Sequence, residues 1–229
     1  ELDRRMIDDR ILVIKKDLEV VKRTRGLQRK SRQRVPYPVV VFVGYTNAGK
    51  STLFNKLTGA TVLEKDMLFA TLDPTMRLIK LPSGLKIILS DTVGFISDLP
   101  THLVAAFRAT LEEAMEADLI IHIRDISHPD TEAERDDVID VLHSLDLKED
   151  RIVTAIEALN KVDLLTEEQK EALLPDENQV VLSALTGFGL NTLLQKIEQT
   201  LLKDTKEISL LIPHQEGELT AWIYEHGFV

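Results

Sequence analysis

The chain has 229 residues, of which 44% are hydrophobic and 29% charged, proportions typical of a globular protein with a sizeable core. It contains no cysteine, so disulfides and thiolate metal sites are excluded and the cytoplasm is the simplest compartment. No apolar run approaches the roughly 18 residues of a membrane-spanning helix. The sequence therefore predicts no transmembrane segment and at most peripheral membrane association.

The formal net charge of −10 is unevenly distributed: residues 1–34 carry 12 basic and 6 acidic residues, and the remainder carries 16 and 32. Apolar residues spaced by three and four between Ile7 and Val21 predict a helical arm with one narrow packing stripe. The basic end of this arm, residues 22–34, has two interpretations: contact with a nucleic-acid backbone, or a solvated helix end. Pro36 and Pro38 then end the arm.

Strand and helix patterns alternate between residues 39 and 203. Strands are predicted at 39–43, 76–81, 85–90, 118–124, 151–159 and 179–183, and helices at 50–58, 101–116, 130–145, 166–173 and 189–202. This alternation predicts an α/β fold built on a doubly wound, mostly parallel six-stranded sheet. The turn Pro82-Ser83-Gly84 predicts one antiparallel hairpin within that sheet.

Beyond residue 204 the sequence predicts a strand at 207–212 and a short helix at 219–224. The predicted domains are therefore a basic helical linker at 1–35, a central domain at 36–204 and the start of a small C-terminal α+β domain at 205–229. Because the chain starts without Met and ends within an element, we expect it to be part of a longer protein. We also expect a monomer.

The glycine loop at residues 44–52, GYTNAGKST, follows the first predicted strand and opens the first predicted helix. It fits the pattern G-x-x-x-x-G-K-[ST], in which backbone N–H groups and a helix N-terminus surround phosphate. We expect Lys50 to reach the β- and γ-phosphates and the Ser51 hydroxyl to bind Mg²⁺. The nucleotide-binding residues predicted in this loop are Gly44, Tyr45, Thr46, Asn47, Ala48, Gly49, Lys50, Ser51 and Thr52.

A second motif, D-x-x-G at residues 91–94, follows the third predicted strand. The Asp91 carboxylate is expected to support Mg²⁺, and the Gly94 N–H to meet the γ-phosphate. Between the two motifs, residues 67–75 offer threonines as a second hydroxyl ligand of the metal; Thr71 is the first choice and Thr75 the reserve. The predicted metal ligands are Ser51, Thr71 and Asp91, and Phe69 and Ala70 are predicted to bind the nucleotide beside Thr71. A loop ordered only with γ-phosphate present is a switch.

The third motif is N-K-x-D at residues 160–163, again at a strand end. The Asp163 carboxylate can accept both the ring N–H and the exocyclic amine of guanine, whereas adenine would leave it unpaired. Asn160 and Lys161 complete the predicted base site. The next strand ends with Ser183, Ala184 and Leu185, which are expected to place a backbone N–H near the guanine carbonyl.

These motifs resemble the HflX family, within the translation-factor-related class of G proteins. The matching stretches are GYTNAGKSTLFN at 44–55, DMLFATLDPT at 66–75, SDTVGFISDLP at 90–100, LVAAFRATLEE at 103–113 and HIRDISHPD at 122–130. The arm at 1–34 resembles the end of that family's helical linker. The family's usual N-terminal domain is absent from this sequence, so the resemblance does not extend to any activity that resides in that domain.

The resemblance implies a P-loop GTPase fold, GTP and GDP as ligands, Mg²⁺ as the cofactor, and hydrolysis of GTP. It also implies binding to the large (50S) ribosomal subunit and its rRNA, with a role in ribosome rescue, splitting or stress response. Two alternatives are a GTP/GDP switch acting on a protein partner and a membrane-surface regulator using the basic arm. The arm lacks a broad hydrophobic face, which argues against the membrane.

Phe95 follows D-x-x-G, where small regulatory G proteins carry a Gln that orients the attacking water. We therefore expect hydrolysis to be slow alone and to be stimulated by the ribosome. Asn47 resembles the Asn that holds K⁺ in cation-stimulated members of the class; its alternative role is local hydrogen bonding in the loop. The residues expected to act in catalysis are Lys50, Asn47, Thr71 and Gly94.

Overall fold

The computed structural model describes residues 37–59, 75–95, 117–144, 147, 149–203, 205, 212 and 217–226. The chain divides into two compact units, and residues Tyr37–Leu211 form the larger one. The predicted helical linker at 1–35 and the predicted helix at 101–116 lie outside the described residues, as does the predicted strand at 207–212 except for its last residue.

Six strands form one sheet: β1 Val39–Val43, β2 Thr75–Lys80, β3 Lys86–Asp91, β4 Leu119–Asp125, β5 Ile156–Asn160 and β6 Gln179–Val181. Their order is β2-β3-β1-β4-β5-β6, and every neighbouring pair is parallel except β2 and β3. The predicted mostly parallel sheet with one antiparallel hairpin is therefore confirmed. Parallel strands direct their carboxyl ends to one edge, where ligands of such folds bind.

The described helices are α1 Lys50–Thr58, α2 Thr131–Ser144, α3 Glu149–Val153, α4 Glu167–Glu171, α5 Leu190–Leu202 and α6 Gly217–His226, with a 3-10 turn at Val162–Leu164. A capping box begins α4, because the Thr166 side chain accepts from the Gln169 N–H and the Gln169 side chain returns the bond. No helix within the described residues is both long enough and apolar enough to cross a membrane.

The core lies on both faces of the sheet, and β1 shows why its sequence is an unbroken apolar run. Val40 and Phe42 belong to one buried cluster with residues of α1 and α5, and Val41 and Val43 belong to a second with residues of α2. Successive side chains of a strand point to opposite faces, so a strand covered on both sides needs apolar residues at every position. This two-sided burial is the doubly wound architecture that the alternating pattern predicted.

One predicted strand boundary is wrong. The sequence predicts a strand at 151–159, but residues Glu149–Val153 form α3 and only Ile156–Asn160 is strand. Ile152 is partly buried against the second cluster, whereas Val153 is 63% exposed. Only Ile152 of this apolar pair therefore packs against the core, and a short apolar run does not by itself distinguish a short helix from a strand.

Candidate nucleotide-binding site

The glycine loop joins β1 to α1 and lies against the ends of two other strands. Gly44 has a φ of +151°, and a Cβ there would lie 2.2 Å from the Ile123 carbonyl oxygen. Gly49 has a φ of +95°, and its Cβ would lie 2.2 Å from Asn160 Nδ2. Both positions therefore require glycine for space as well as for conformation. Asn47 is exposed and has a φ of 59°, a left-handed conformation that Asn tolerates.

Lys50 turns back into the loop that precedes it. Its side chain is 6% exposed, and Nζ donates to the carbonyl oxygens of Gly44 at 3.0 Å and Tyr45 at 2.7 Å. Burial lowers the pKa of Lys50 to about 8, although the nearby Asp91 carboxylate opposes that shift. The ammonium is thus enclosed by the loop, in an environment that favours an additional negative charge nearby.

Two of the predicted metal ligands meet beside this lysine. Ser51 Oγ donates to Asp91 Oδ2 at 2.8 Å, and Asp91 is fully buried at the end of β3. Thr75, the reserve threonine, begins β2 directly opposite Asp91 in the antiparallel ladder. Thr71, Phe69 and Ala70 lie outside the described residues.

The D-x-x-G segment is joined to the glycine loop through its backbone. Phe95 N–H donates to the Gly44 oxygen at 3.1 Å, and Thr46 N–H donates to the Phe95 oxygen at 2.8 Å. A Cβ on Gly94 would lie 2.9 Å from the Thr46 Cα and 3.0 Å from Lys50 Nζ, so only glycine fits there. Phe95 is 1% exposed and packs in the second core cluster, which removes its ring from the loop.

Asn160 connects three of the predicted motifs. It is 2% exposed; Nδ2 donates to the Ala48 oxygen at 2.8 Å, and Oδ1 accepts from the Ala184 N–H at 2.9 Å. The glycine loop, N-K-x-D and the loop after β6 are therefore fastened together by one side chain. Sequence reasoning placed Asn160 at the base but missed this bridge, because both of its partners are backbone groups.

Asp163 and the loop after β6 form the end of the site at which the base is predicted to bind. Among the described residues, Asp163 Oδ1 is a buried carboxylate oxygen with no hydrogen-bond partner. In the adjoining loop, the Ser183 N–H donates to the Phe188 oxygen at 3.0 Å and its Oγ accepts from Thr186 at 3.1 Å. Leu185 is 71% exposed. A buried acceptor left without a donor is costly, so the Asp163 oxygen is suited to a ligand that brings an N–H group.

Sequence reasoning also missed Asp125, at the end of β4. Its Oδ2 accepts from Lys161 Nζ at 2.7 Å, and its Oδ1 accepts from the Ser127 N–H at 3.0 Å and the Ser127 hydroxyl at 2.6 Å. Burial opposes ionisation of this carboxyl, but the bonds from Lys161 and Ser127 outweigh it and hold the pKa of Asp125 below its usual value. The position of an Asp at a neighbouring strand end was the available signal.

A buried network of charged residues joins β4, β5 and α2. Glu157 accepts from Arg124 at 3.1 Å, Arg135 at 2.7 Å and Gln179 at 3.0 Å. His122 is 4% exposed, and burial lowers its pKa to about 3, against the smaller opposing influence of Glu157. His122 is therefore a neutral core residue at physiological pH.

Comparison with known proteins agrees with this geometry. The family model described as 50S ribosome-binding GTPase matches residues 39–161, and the model of the HflX C-terminal domain matches residues 168–229. The chain belongs to the HflX branch of the 50S ribosome-binding GTPase family. The family membership and the P-loop GTPase fold expected from the motifs are confirmed.

Two HflX relatives show the extent of the match. GTPase HflX of Magnetococcus marinus is 47% identical over 233 residues, covering 100% of this chain and 52% of the relative. GTPase HflX of Escherichia coli is 41% identical over 228 residues, covering 98% and 53%. The chain thus spans about half the length of the curated HflX relatives it matches.

A solved structure gives the same fold. The GTP-binding protein from the archaeon Sulfolobus solfataricus in complex with GDP aligns with a TM-score of 0.58 at 27% identity, covering 82% of this chain and 61% of that one. The HflX sequence match and this structural match therefore both identify a GTPase fold.

Proposed function

We propose that this chain is the GTP-binding and GTP-hydrolysing part of an HflX-family protein that acts on the large ribosomal subunit. The observation that supports it most directly is the buried Asp163 Oδ1, which has no hydrogen-bond partner among the described residues. Guanine offers a ring N–H and an exocyclic amine to such a carboxylate, and adenine offers neither arrangement. Asn160 and Lys161 hold the loops on either side of the base.

At the other end of the site, the residues fit a Mg²⁺-nucleotide. The Ser51 hydroxyl and Asp91 carboxylate are hard oxygen donors placed together, and Mg²⁺ characteristically takes one or two carboxylates plus substrate phosphates. Thr71 is the proposed third protein ligand. When bound, Mg²⁺ neutralises charge on the β- and γ-phosphate oxygens.

The chain's own groups perform the remaining steps. With a pKa of about 8, Lys50 is mostly protonated at neutral pH and presents its ammonium to the β- and γ-phosphates. The loop amides and the Gly94 N–H bind phosphate oxygens around it. Gly94 lies against the loop at Thr46, so a shift of this segment is transmitted directly to the phosphate groups.

No described side chain at the phosphates is placed as a general base, and the buried Phe95 ring cannot orient water. Hydrolysis by the chain alone is therefore slow, and the missing positioning comes from the ribosome or a monovalent cation. Asn47, exposed on the loop, is the proposed K⁺ ligand. The ribosomal partner is supported by the family description, and the basic segment 22–34 suits rRNA phosphates.

We also propose the domain division 1–35, 36–204 and 205–229, a cytoplasmic location and a monomeric state. A linker that carries the basic charge, placed before the GTPase domain, would couple nucleotide state to rRNA contact. Rescue or splitting of stalled ribosomes is the corresponding role.

The test is steady-state phosphate release from GTP, with ATP as the control nucleotide, in K⁺ and in Na⁺ buffer, with and without purified large ribosomal subunits. We expect slow GTP-specific release that the subunits stimulate strongly. A Ser51→Ala preparation made in parallel reports contaminating nucleotidase, and Asn47→Ala should remove only the K⁺ dependence. Absence of GTP-specific release under all four conditions would contradict the proposal.

A further inference from the structure

We propose that Asp125 is a positioning residue for guanine nucleotide binding, which acts by fixing Lys161 through their ion pair. The inference rests on the proposed function and deepens it by adding a residue of β4 to the base site. In the sequence, Lys161 lies between the two proposed base-recognition residues, Asn160 and Asp163.

The ion pair between Asp125 and Lys161 is largely buried from solvent. The Asp125 side chain is 13% exposed and that of Lys161 is 29% exposed, with 2.7 Å between Oδ2 and Nζ. Asp125 does not rotate freely, because both the N–H and the hydroxyl of Ser127 donate to its other oxygen. The carboxylate is therefore a fixed anchor and Lys161 is the group that it holds.

The backbone of Lys161 explains why an anchor is needed. Its φ is 67°, a left-handed conformation that is unfavourable for a residue with a long side chain. This conformation begins the 3-10 turn Val162–Leu164, which carries Asp163. Two backbone bonds support the same loop: Ile126 N–H to the Asn160 oxygen at 3.1 Å and Val162 N–H to the Leu182 oxygen at 3.3 Å.

The consequence is preorganisation. A free lysine samples many rotamers, and ordering it on ligand binding reduces affinity. Here the ammonium is held by Asp125 and the Cα by the strand end, so the methylene stem has little freedom left before the nucleotide arrives. The resulting benefit to binding should depend on Lys161 being present.

The test is a double-mutant cycle on GDP affinity, measured by displacement of a fluorescent GDP analogue from the full chain. The variants are Asp125→Asn, Lys161→Met and both together. We expect Asp125→Asn to weaken GDP binding about tenfold in the native background and less than twofold in the Lys161→Met background. If the two losses multiply, or if Asp125→Asn alone has no effect, the assignment is wrong.

Two further variants keep the test decisive if Asp125→Asn folds poorly. Ser127→Ala retains the carboxylate but removes one of its supports, and should weaken GDP binding two- to threefold only while Lys161 is present. Asp118→Asn, at the opposite end of β4, alters the carboxyl that accepts from the Val39 N–H and should leave GDP affinity unchanged.

Base preference distinguishes this inference from the proposed function. Asp163 reads the exocyclic amine, so Asp125→Asn should leave the ratio of GDP to inosine diphosphate affinity within about twofold. A collapse of that ratio would place the effect at Asp163 and overturn the role of Lys161. A native chain that bound no GDP would overturn the proposed function and this inference together, whereas multiplying losses would overturn the inference alone.

Discussion

The base end and the phosphate end of the site are built differently. At the base end, Asn160 and Lys161 already make the bonds that hold the surrounding loops, and a buried Asp163 oxygen remains to receive a ligand. At the phosphate end, Lys50 donates to loop carbonyls and Ser51 donates to Asp91. Groups proposed to bind the phosphates and the metal are therefore engaged with the protein itself.

This difference shows where binding reorganises the protein. Under the proposed function, a guanine base adds hydrogen bonds to groups whose surroundings are already bonded, so little is lost when it enters. Phosphates would instead replace existing bonds of Lys50 and Ser51, beside the segment of Gly94 and Phe95 that is bonded to the glycine loop. In the proposed function, specificity therefore belongs to the base end, and nucleotide-dependent change belongs to the phosphate end.

The largest expected effect on GTP hydrolysis comes from replacing Lys50 at the phosphate end of the site. Lys50→Met should reduce GTP hydrolysis at least about a thousandfold, because the transferred phosphoryl charge loses its cation. The nucleotide-free protein should nevertheless become more stable at pH 7, by about 1 to 3 kcal/mol, because a buried ammonium is removed. Urea denaturation and phosphate release measure the two outcomes.

The sign of this stability effect follows from the pKa. Burial lowers the folded pKa of Lys50 to about 8, below the value of 10.5 in the unfolded chain, so its charge destabilises the fold below pH 8. That penalty diminishes as the pH rises from 8 towards 10.5. Native stability should rise over this interval relative to Lys50→Met, and parallel pH profiles of the two proteins would contradict the interpretation.

The base end is tested by Asp163→Asn. This change turns one acceptor oxygen into a donor, so GTP binding should weaken by on the order of a hundredfold while xanthosine triphosphate gains preference. Competition of both nucleotides against a fluorescent analogue gives the ratio directly. Unchanged selectivity would show that Asp163 does not bind the base, and the proposed base end of the site would then be wrong.

The next prediction tests the burial of His122, a core residue of β4. Burial lowers its folded pKa to about 3, below the value of 6.5 in the unfolded chain. Its contribution to stability is therefore present above pH 6.5 and is lost as the pH falls towards 3. At pH 5 the native protein should have lost about 2 kcal/mol more than His122→Gln, relative to pH 7. Urea denaturation at the two pH values tests this, and equal losses would show that His122 is solvated.

The smallest effect is expected at Phe95. The change Phe95→Leu, which keeps an apolar side chain but removes part of the core volume, should lower the free energy of unfolding by about 1 kcal/mol and leave intrinsic GTP turnover within a few-fold, because the ring lies in the core. The backbone bonds to Gly44 and Thr46 do not depend on the side chain. A turnover loss above about a hundredfold, or about 2.7 kcal/mol in barrier, would place the ring in the reaction.

Much of this arrangement follows from the sequence, and the remainder has a physical reason. The mostly parallel sheet with one antiparallel hairpin and the placement of motifs at strand ends were predictable because apolar runs and polar strand ends alternate along the sequence. The Asn160 bridge was not, because side-chain identity does not specify which backbone groups 24 and 112 residues away will be near. The Asp125 contact was missed because an Asp at a strand end, without a motif around it, is a weak signal. The α3 helix was missed because Ile152-Val153 suits either structure.

The close approach of Gly49 to Asn160 has a genetic consequence. A methyl group at residue 49 would occupy the space of the Asn160 amide, 2.2 Å away, so an allele altered at one position would carry a lesion at the other. A smaller side chain at residue 160 would relieve this contact in Gly49→Ala but not the strain of the φ of +95°, and it would also remove the Asn160 bridge. Second-site changes at residue 160 should therefore restore folding of Gly49→Ala only in part, so the two codons, 111 positions apart, are constrained together.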